Sequence, residues 1–226
     1  MPLLGRAAVA MWWDMAAAMR AEFEDWHSHE HFPERLRIPG FLRGSRWAAK
    51  DDDPGFFVMY ELDVEATLTS PHYLARLNNP TPWSTKMMPH HGNMVRSLCQ
   101  VAQSHGGGIA SFMLTLRLSP EPDRLDALTQ HLHRALAAAP QRPGITGGHL
   151  LHTRIPEAPP TEEQKIRGGA DRAADWIVLV SGCDEAALSD FASEQLSTVR
   201  LAAAGAGPAP IRAYYSLSHA ATPGDF

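Results

Sequence analysis

The sequence predicts an α+β fold made of two consecutive βαββαβ units, packed against each other as an intramolecular α/β barrel. Three observations predict it. Apolar runs of strand length alternate with segments of helical composition in the order strand, helix, strand, strand, helix, strand, and the order then repeats. Turn residues mark the joints, as in "IPG" (38–40) and "KDDDPG" (50–55). The chain of 226 residues is also long enough for two units of about 100 residues each. A four-stranded antiparallel sheet with its helices on one side leaves the other face bare, and a second such sheet can cover it. The units are expected at 1–106 and 107–226.

Each element has a local reason. "AAVAMWWDM" (7–15) is a short apolar run closed by Asp14. Residues 15–37, "MAAAMRAEFEDWHSHEHFPERLR", are rich in Ala, Glu, Met and Arg, as a helix prefers. Pro33 must kink that helix or begin a second turn, and Pro39-Gly40 ends it. "FLRGSRWAA" (41–49) and "GFFVMYELD" (55–63) are strand-like runs around the turn. Helix 70–78 has Ser70 as N-cap and Pro71 at its first position. A Pro-rich connection, "NPTPWSTKMMPHHGN", leads to a strand at 94–102.

The second half follows with a strand at 108–119 and an amphipathic helix at 122–139, whose Leu125, Leu128, Leu132 and Leu136 share one face. Strands at 144–155 and 175–182 flank a polar loop at 156–174. A helix capped by Asp184 (184–196) and a last strand (211–220) complete the unit. Each unit is thus the ferredoxin-like motif.

Bulk properties exclude several classes. Apolar residues make up 44% of the chain, enough for packed cores. A formal net charge of -5 without a basic patch argues against a nucleic-acid partner. Cys99 and Cys183 both lie in apolar, strand-like contexts and form no disulfide framework, which suits a reducing cytoplasm. The apolar start "MPLLGRAAVAMWW" reads as the first strand rather than a leader. No run approaches the roughly 20 apolar residues of a bilayer span, so no membrane partner is expected.

The stretch "EFEDWHSHEHFPERLRIPGFLRGSRW" (22–47) resembles the EthD-like branch of the dimeric α/β-barrel superfamily. The resemblance rests on Trp26, Glu30, His31, Pro33, Pro39, Gly40, Phe41 and Arg46. It covers about 25 residues; the second half agrees in element order only. The resemblance implies a barrel that binds a small hydrophobic or aromatic compound. Relatives include cofactor-free monooxygenases, polyketide cyclases, lactone isomerases and haem enzymes, and the fold does not choose among them.

His31 is the leading acid/base candidate, with Glu30 or His27 to tune it and Arg46 to hold an anionic or enolate group. The bland alternatives are a His31 that locks the helix to the Pro-Gly turn and an Arg46 in a surface salt bridge to that helix. His27 and His31 lie four apart, as two ligands of a zinc helix would, and His90 and His91 could add ligands. A third ligand is not located, and His29 is expected to face solvent. For haem, His149 and His152 are the axial candidates, but the GxxDG signature is absent.

Trp12, Trp13, Trp47, Phe56, Phe57 and Tyr60 can wall a pocket or simply form core. Trp83 and "KMMPHHG" read as a lid or subunit contact. The expectation is a cofactor-independent isomerase, cyclase or monooxygenase; the second reading is a non-catalytic ligand-binding or assembly protein. No cofactor is expected, and a homodimer is compatible with exposed sheet edges.

Overall fold

The computed structural model describes residues 3–50, 53, 55–154, 161–168 and 171–226. The chain forms two compact units. One comprises Leu4–Cys99, Arg154–Ala173 and Ser218–Phe226; the other is built on Gln100–Thr153 and Ala174–Leu217.

The first unit opens with β1 (Ala7–Met15), followed by α1 (Arg20–Trp26), a π-helical turn (His27–His31) and α2 (Phe32–Leu36). The single helix expected at 15–37 is therefore interrupted, and Pro33 is the physical reason. Proline has no N–H to give the preceding turn. The backbone passes that point by widening, so that the Phe32 N–H reaches back to the His27 carbonyl. Gly40, at φ +94, makes the turn out of the helix.

Next come β2 (Phe41–Ala49) and β3 (Gly55–Leu62). Residues 51, 52 and 54 of the turn expected between them lie outside the described residues. β3 pairs antiparallel with both β1 and β2, in a register that aligns Trp12, Phe57 and Trp47 in one row and Val9, Tyr60 and Gly44 in another. Side chains alternate between sheet faces. Trp13, Phe56 and Tyr60 pack with Phe23, Trp26 and Phe32 of the helices. Trp12, Trp47 and Phe57 occupy the opposite face, where Trp12 stacks on Phe57 at 4.9 Å between ring centroids. Gly44 is needed on the helix face, because a Cβ there would lie 2.5 Å from the Phe32 ring.

α3 (Pro71–Asn78) has the expected Ser70 cap, whose side chain accepts from the Tyr73 N–H. The Pro-rich connection that follows contains a helix not anticipated from its composition, α4 (Pro82–Met87), capped by Thr81. β4 (His91–Gly106) gives this unit its residues up to Cys99. Asn93 sits at φ 53, a left-handed conformation that breaks the two-residue alternation of a strand.

In the second unit, β5 (Phe112–Leu118) and α5 (Leu125–Ala138) precede β6 (Ile145–Thr153). Leu128, Leu132 and Leu136 are buried as expected, but Leu125 is 44% exposed. It starts the helix, one turn before the face meets the sheet. The polar segment 156–174, expected as a loop, contains α6 (Glu162–Ile166), which belongs to the first unit; residues 156–160, 169 and 170 lie outside the described residues. β7 (Trp176–Gly182), α7 (Glu185–Gln195), α8 (Thr198–Ala204) and β8 (Ile211–Ala221) follow.

β5 pairs antiparallel with β7 and β8, and β7 with β6. Leu114, Leu116, Val178 and Val180 pack with Leu132, Leu188 and Phe191 to form this unit's core. Asp184 caps α7 as expected, but α8 was not legible, and Cys183, just beyond β7, is exposed rather than apolar core. Among the described residues no helix is long and apolar enough to cross a membrane.

Candidate functional site

The widened turn sets the geometry of the histidines. His27 and His31 both face inward, their rings nearly parallel at 21° and 5.4 Å apart. His27 is enclosed by Phe23 and Phe32, at 5.1 and 4.6 Å between ring centroids. His31 lies 4.5 Å from Trp26. Both rings are buried, and among the described residues neither Nδ1 has a hydrogen-bond partner. His29 points outward as expected and pairs with Asp25 at 2.8 Å.

A cavity of about 40 Å³ lies in the first unit, with His27, His31 and His91 in its wall. The break at Asn93 lets His91, Met94 and Arg96 of β4 all reach it. His91 is held by the Met87 and Met88 carbonyls, 3.2 and 3.1 Å from its Nδ1. Burial pushes His27 and His31 well below the usual imidazole pKa, assisted by neighbouring positive charge, chiefly Arg35 for His31. Burial also brings His91 down to about 4, with Arg167 adding to the effect. All three imidazoles are neutral near pH 7.

The cationic wall comes from residues that the sequence did not single out. Arg35 of α2 is buried in an ion pair with Glu163 of α6. Burial, the largest single effect, opposes its charge, but the Glu163 carboxylate together with Tyr73 and Tyr60 outweighs it, and the net pKa is raised. Arg96 donates to the Tyr73 hydroxyl, and Arg167 pairs with Asp171 at 2.9 Å. A capping box spans Thr161 and Gln164, the one sequence signal that could have located α6. Arg35 and Arg96 carry no such signal, since their partners are remote in the chain.

Glu30 and Arg46 have other positions. Glu30 Oε1 accepts from Trp26 Nε1 (3.1 Å), Thr81 Oγ1 (2.5 Å) and Ser84 Oγ (3.4 Å), tying α1 to α4. Arg46 is buried beneath α1, where Nη1 donates to the Glu24 carbonyl at 3.1 Å and Nε to Ser218 Oγ at 3.3 Å. Neither residue lines the cavity. Of the aromatic candidates, Trp13 and Tyr60 do. From the stretch read as a lid, Met88 reaches the wall, His90 is exposed, and Trp83 donates to Glu22 at 3.2 Å.

Two sites weighed in the sequence lack the required geometry. Among the described residues no three His, Cys, Asp or Glu side chains converge as a metal cluster. A macrocycle does not fit the cavity either: ligands of that size occupy about 300 Å³ or more, against about 40 Å³ here. His149 Nδ1 is bound to Ser104 Oγ at 2.7 Å, and His152 stacks on Trp176 at 4.2 Å, both in the second unit. A larger hollow of about 340 Å³ beside Leu68, Leu98, Cys99 and Arg154 has no histidine in its wall.

No family's sequence model matches the chain, and no curated protein matches it in sequence. Solved structures do share its fold. An anthrone oxidase-like protein aligns with a TM-score of 0.65 at 11% identity, over 98% of this chain and 94% of its own. A provisionally assigned monooxygenase from Fusobacterium nucleatum aligns at 0.64 with 8% identity, covering 97% of this chain and 96% of its own. A provisionally assigned chlorite dismutase aligns at 0.58 with 13% identity, covering 98% and 97%. At such identities the likeness shows the mixed α/β fold alone.

Proposed function

We propose that the protein is a cofactor-independent enzyme of the EthD-like kind, moving a proton within a small bound compound, as an isomerase or cyclase does. The observation that carries this reading is the inward-facing pair His27–His31, buried, neutral and lacking partners at Nδ1, in the wall of a mixed polar and apolar cavity. A neutral imidazole accepts a proton from an acidic C–H or O–H group of the ligand, becomes an imidazolium beside the enolate or phenolate so formed, and returns the proton elsewhere on the ligand. No oxidant enters that balance. A monooxygenase, the activity provisionally given to one fold neighbour, would require dioxygen as well.

His31 is the acid/base in this reading, and His27 stacks behind it. Met11, Met88 and Met94 are the yielding part of the wall, because unbranched thioethers repack around a larger ligand. A non-catalytic binding protein would be expected to turn His31 to solvent, whereas its ring here lies inside. The same reading takes the chain as a tandem duplication working in the cytoplasm, where its two cysteines stay reduced.

The test is deuterium exchange from solvent into a panel of lactones and aromatic carbon acids. His31→Asn should slow exchange at least about 100-fold while the fold, judged by circular dichroism, is kept. Equal exchange in the wild type and the variant would remove His31 from the chemistry.

A further inference from the structure

The atoms left without partners around this cavity indicate what it binds. Among the described residues, five buried side chains in its wall carry one such atom each: Trp13 Nε1, His27 Nδ1, His31 Nδ1, Arg35 Nη1 and Tyr60 Oη. Buried polar groups are normally paired, and each exception needs an explanation. These five share one site and one sense, whereas Arg212 Nε and His219 Nε2 lie outside it. The indole and guanidinium nitrogens can only donate, the phenol donates readily, and each neutral imidazole can present its Nδ1 as N–H. None of the five is an obligatory acceptor. A ligand that satisfies them must therefore bring acceptors.

Charge points the same way. Three guanidinium groups, Arg35, Arg96 and Arg167, border the cavity. Two carboxylates answer them: Glu163, paired with Arg35 and 3.9 Å from Arg167, and Asp171, paired with Arg167. The hydrogen-bond partner of Arg96 is the neutral Tyr73 hydroxyl. Behind this shell, Arg76 and Glu34 close a neutral pair of their own at 3.1 Å. With the histidines neutral, the described lining residues carry three guanidinium charges against one carboxylate, and Asp171 and Glu30 lie behind the wall, bonded to Arg167 and Trp26. The cavity of about 40 Å³ has room for about three water-sized atoms at roughly 10–15 Å³ each, the size of a carboxylate group.

We infer that the cavity receives the carboxylate head of an organic acid, with its oxygens taken by Arg35 Nη1 and the Tyr60 hydroxyl. The inference rests on reading this cavity as the ligand site, and it names the substrate class that the proton-transfer reading leaves open. Arg35 holds Glu163 through its other terminal nitrogen, so the fork bridges a fixed internal carboxylate and the incoming one. Planar guanidinium geometry suits that arrangement, and a lysine would not reproduce it.

The test titrates the full chain with acetate, propanoate and benzoate, and with acetamide as the neutral isostere, at constant ionic strength set with chloride. Trp13 and Trp26 line the cavity, so their emission reports binding alongside the melting temperature. Carboxylates are expected to shift both saturably, and acetamide neither. Tyr60→Phe removes an unpaired hydroxyl, so it should leave the melting temperature of the free protein unchanged or higher while weakening acetate binding about tenfold. Arg35→Lys keeps the charge beside Glu163 and should weaken binding as well.

Acetamide matching acetate, no saturable response to any carboxylate, or unchanged affinity in Tyr60→Phe would overturn the inference. His31→Asn separates it from the catalytic reading. Carboxylate binding with exchange that ignores His31 sinks only the acid/base role, while His31-dependent exchange of neutral compounds that bind equally well sinks only the carboxylate.

Discussion

Four residues of the cavity wall carry the proposed chemistry, and the sequence exposes them unequally. His27 and His31 are visible in "HSHEH", because four-residue spacing on a helix places both on one face. Arg35 and Glu163 are invisible as a pair, since 128 positions separate them. Their ion pair is buried on both sides, so removing one charge leaves the other without compensation. Glu163→Gln should destabilise the protein by about 3 kcal/mol, the low end for breaking a buried pair. Urea denaturation would measure it. A loss below about 0.5 kcal/mol would mean that water already reaches the pair and screens it.

At the level of elements, the π-helical turn organises the site. It follows from Pro33, and it brings the two imidazoles into a stack at 5.4 Å. Just before that turn, the Glu24 carbonyl accepts from the His27 N–H and from two side chains as well. Ser28 Oγ donates to the Glu24 carbonyl at 2.7 Å, and Arg46 Nη1 donates to the same oxygen. Arg46 thus supports α1 and lies outside the cavity wall. Arg46→Met should lower stability by about 1.5–3 kcal/mol, the range for a hydrogen bond to a charged group, while acetate affinity stays as in the wild type. If affinity fell more than tenfold with little change in stability, Arg46 would instead belong to the binding machinery.

At the scale of the whole molecule, the burial of His27, His31 and His91 is expected to make stability acid-sensitive. His27, His31 and His91 bind protons less tightly in the folded chain than an ordinary imidazole of pKa about 6.5 does. The unfolded state then takes up more protons as pH falls, so stability is complete above about pH 6.5 and declines below it. For His91 the decline runs to about pH 4. The slope is at most about 1.4 kcal/mol per pH unit for each histidine. Melting temperature should drop between pH 6.5 and 5, and His27→Asn, which cannot titrate, should show a shallower drop. Parallel profiles for the two proteins would contradict the buried, neutral state of His27.

What the sequence determines by itself is the order and type of most elements. Hydrophobic period, proline placement and caps such as Ser70 and Asp184 act within a few residues, so they can be read along the chain. α4 and α6 are not legible along the chain because short helices in Pro-rich or polar stretches draw their stability from packing rather than propensity, and α8, seven residues rich in Ala, is too short to show a hydrophobic period. The tertiary structure alone decided which polar groups meet. Arg35 on α2, Tyr60 on β3, Arg96 on β4 and Glu163 on α6 have no local relation, and long-range packing turns them into one donor-rich wall around His31. Glu30, next to His31 in sequence, is turned toward α4, because the helix face that carries the histidines inward cannot carry their neighbour there as well, and Arg46, on β2, lies beneath α1.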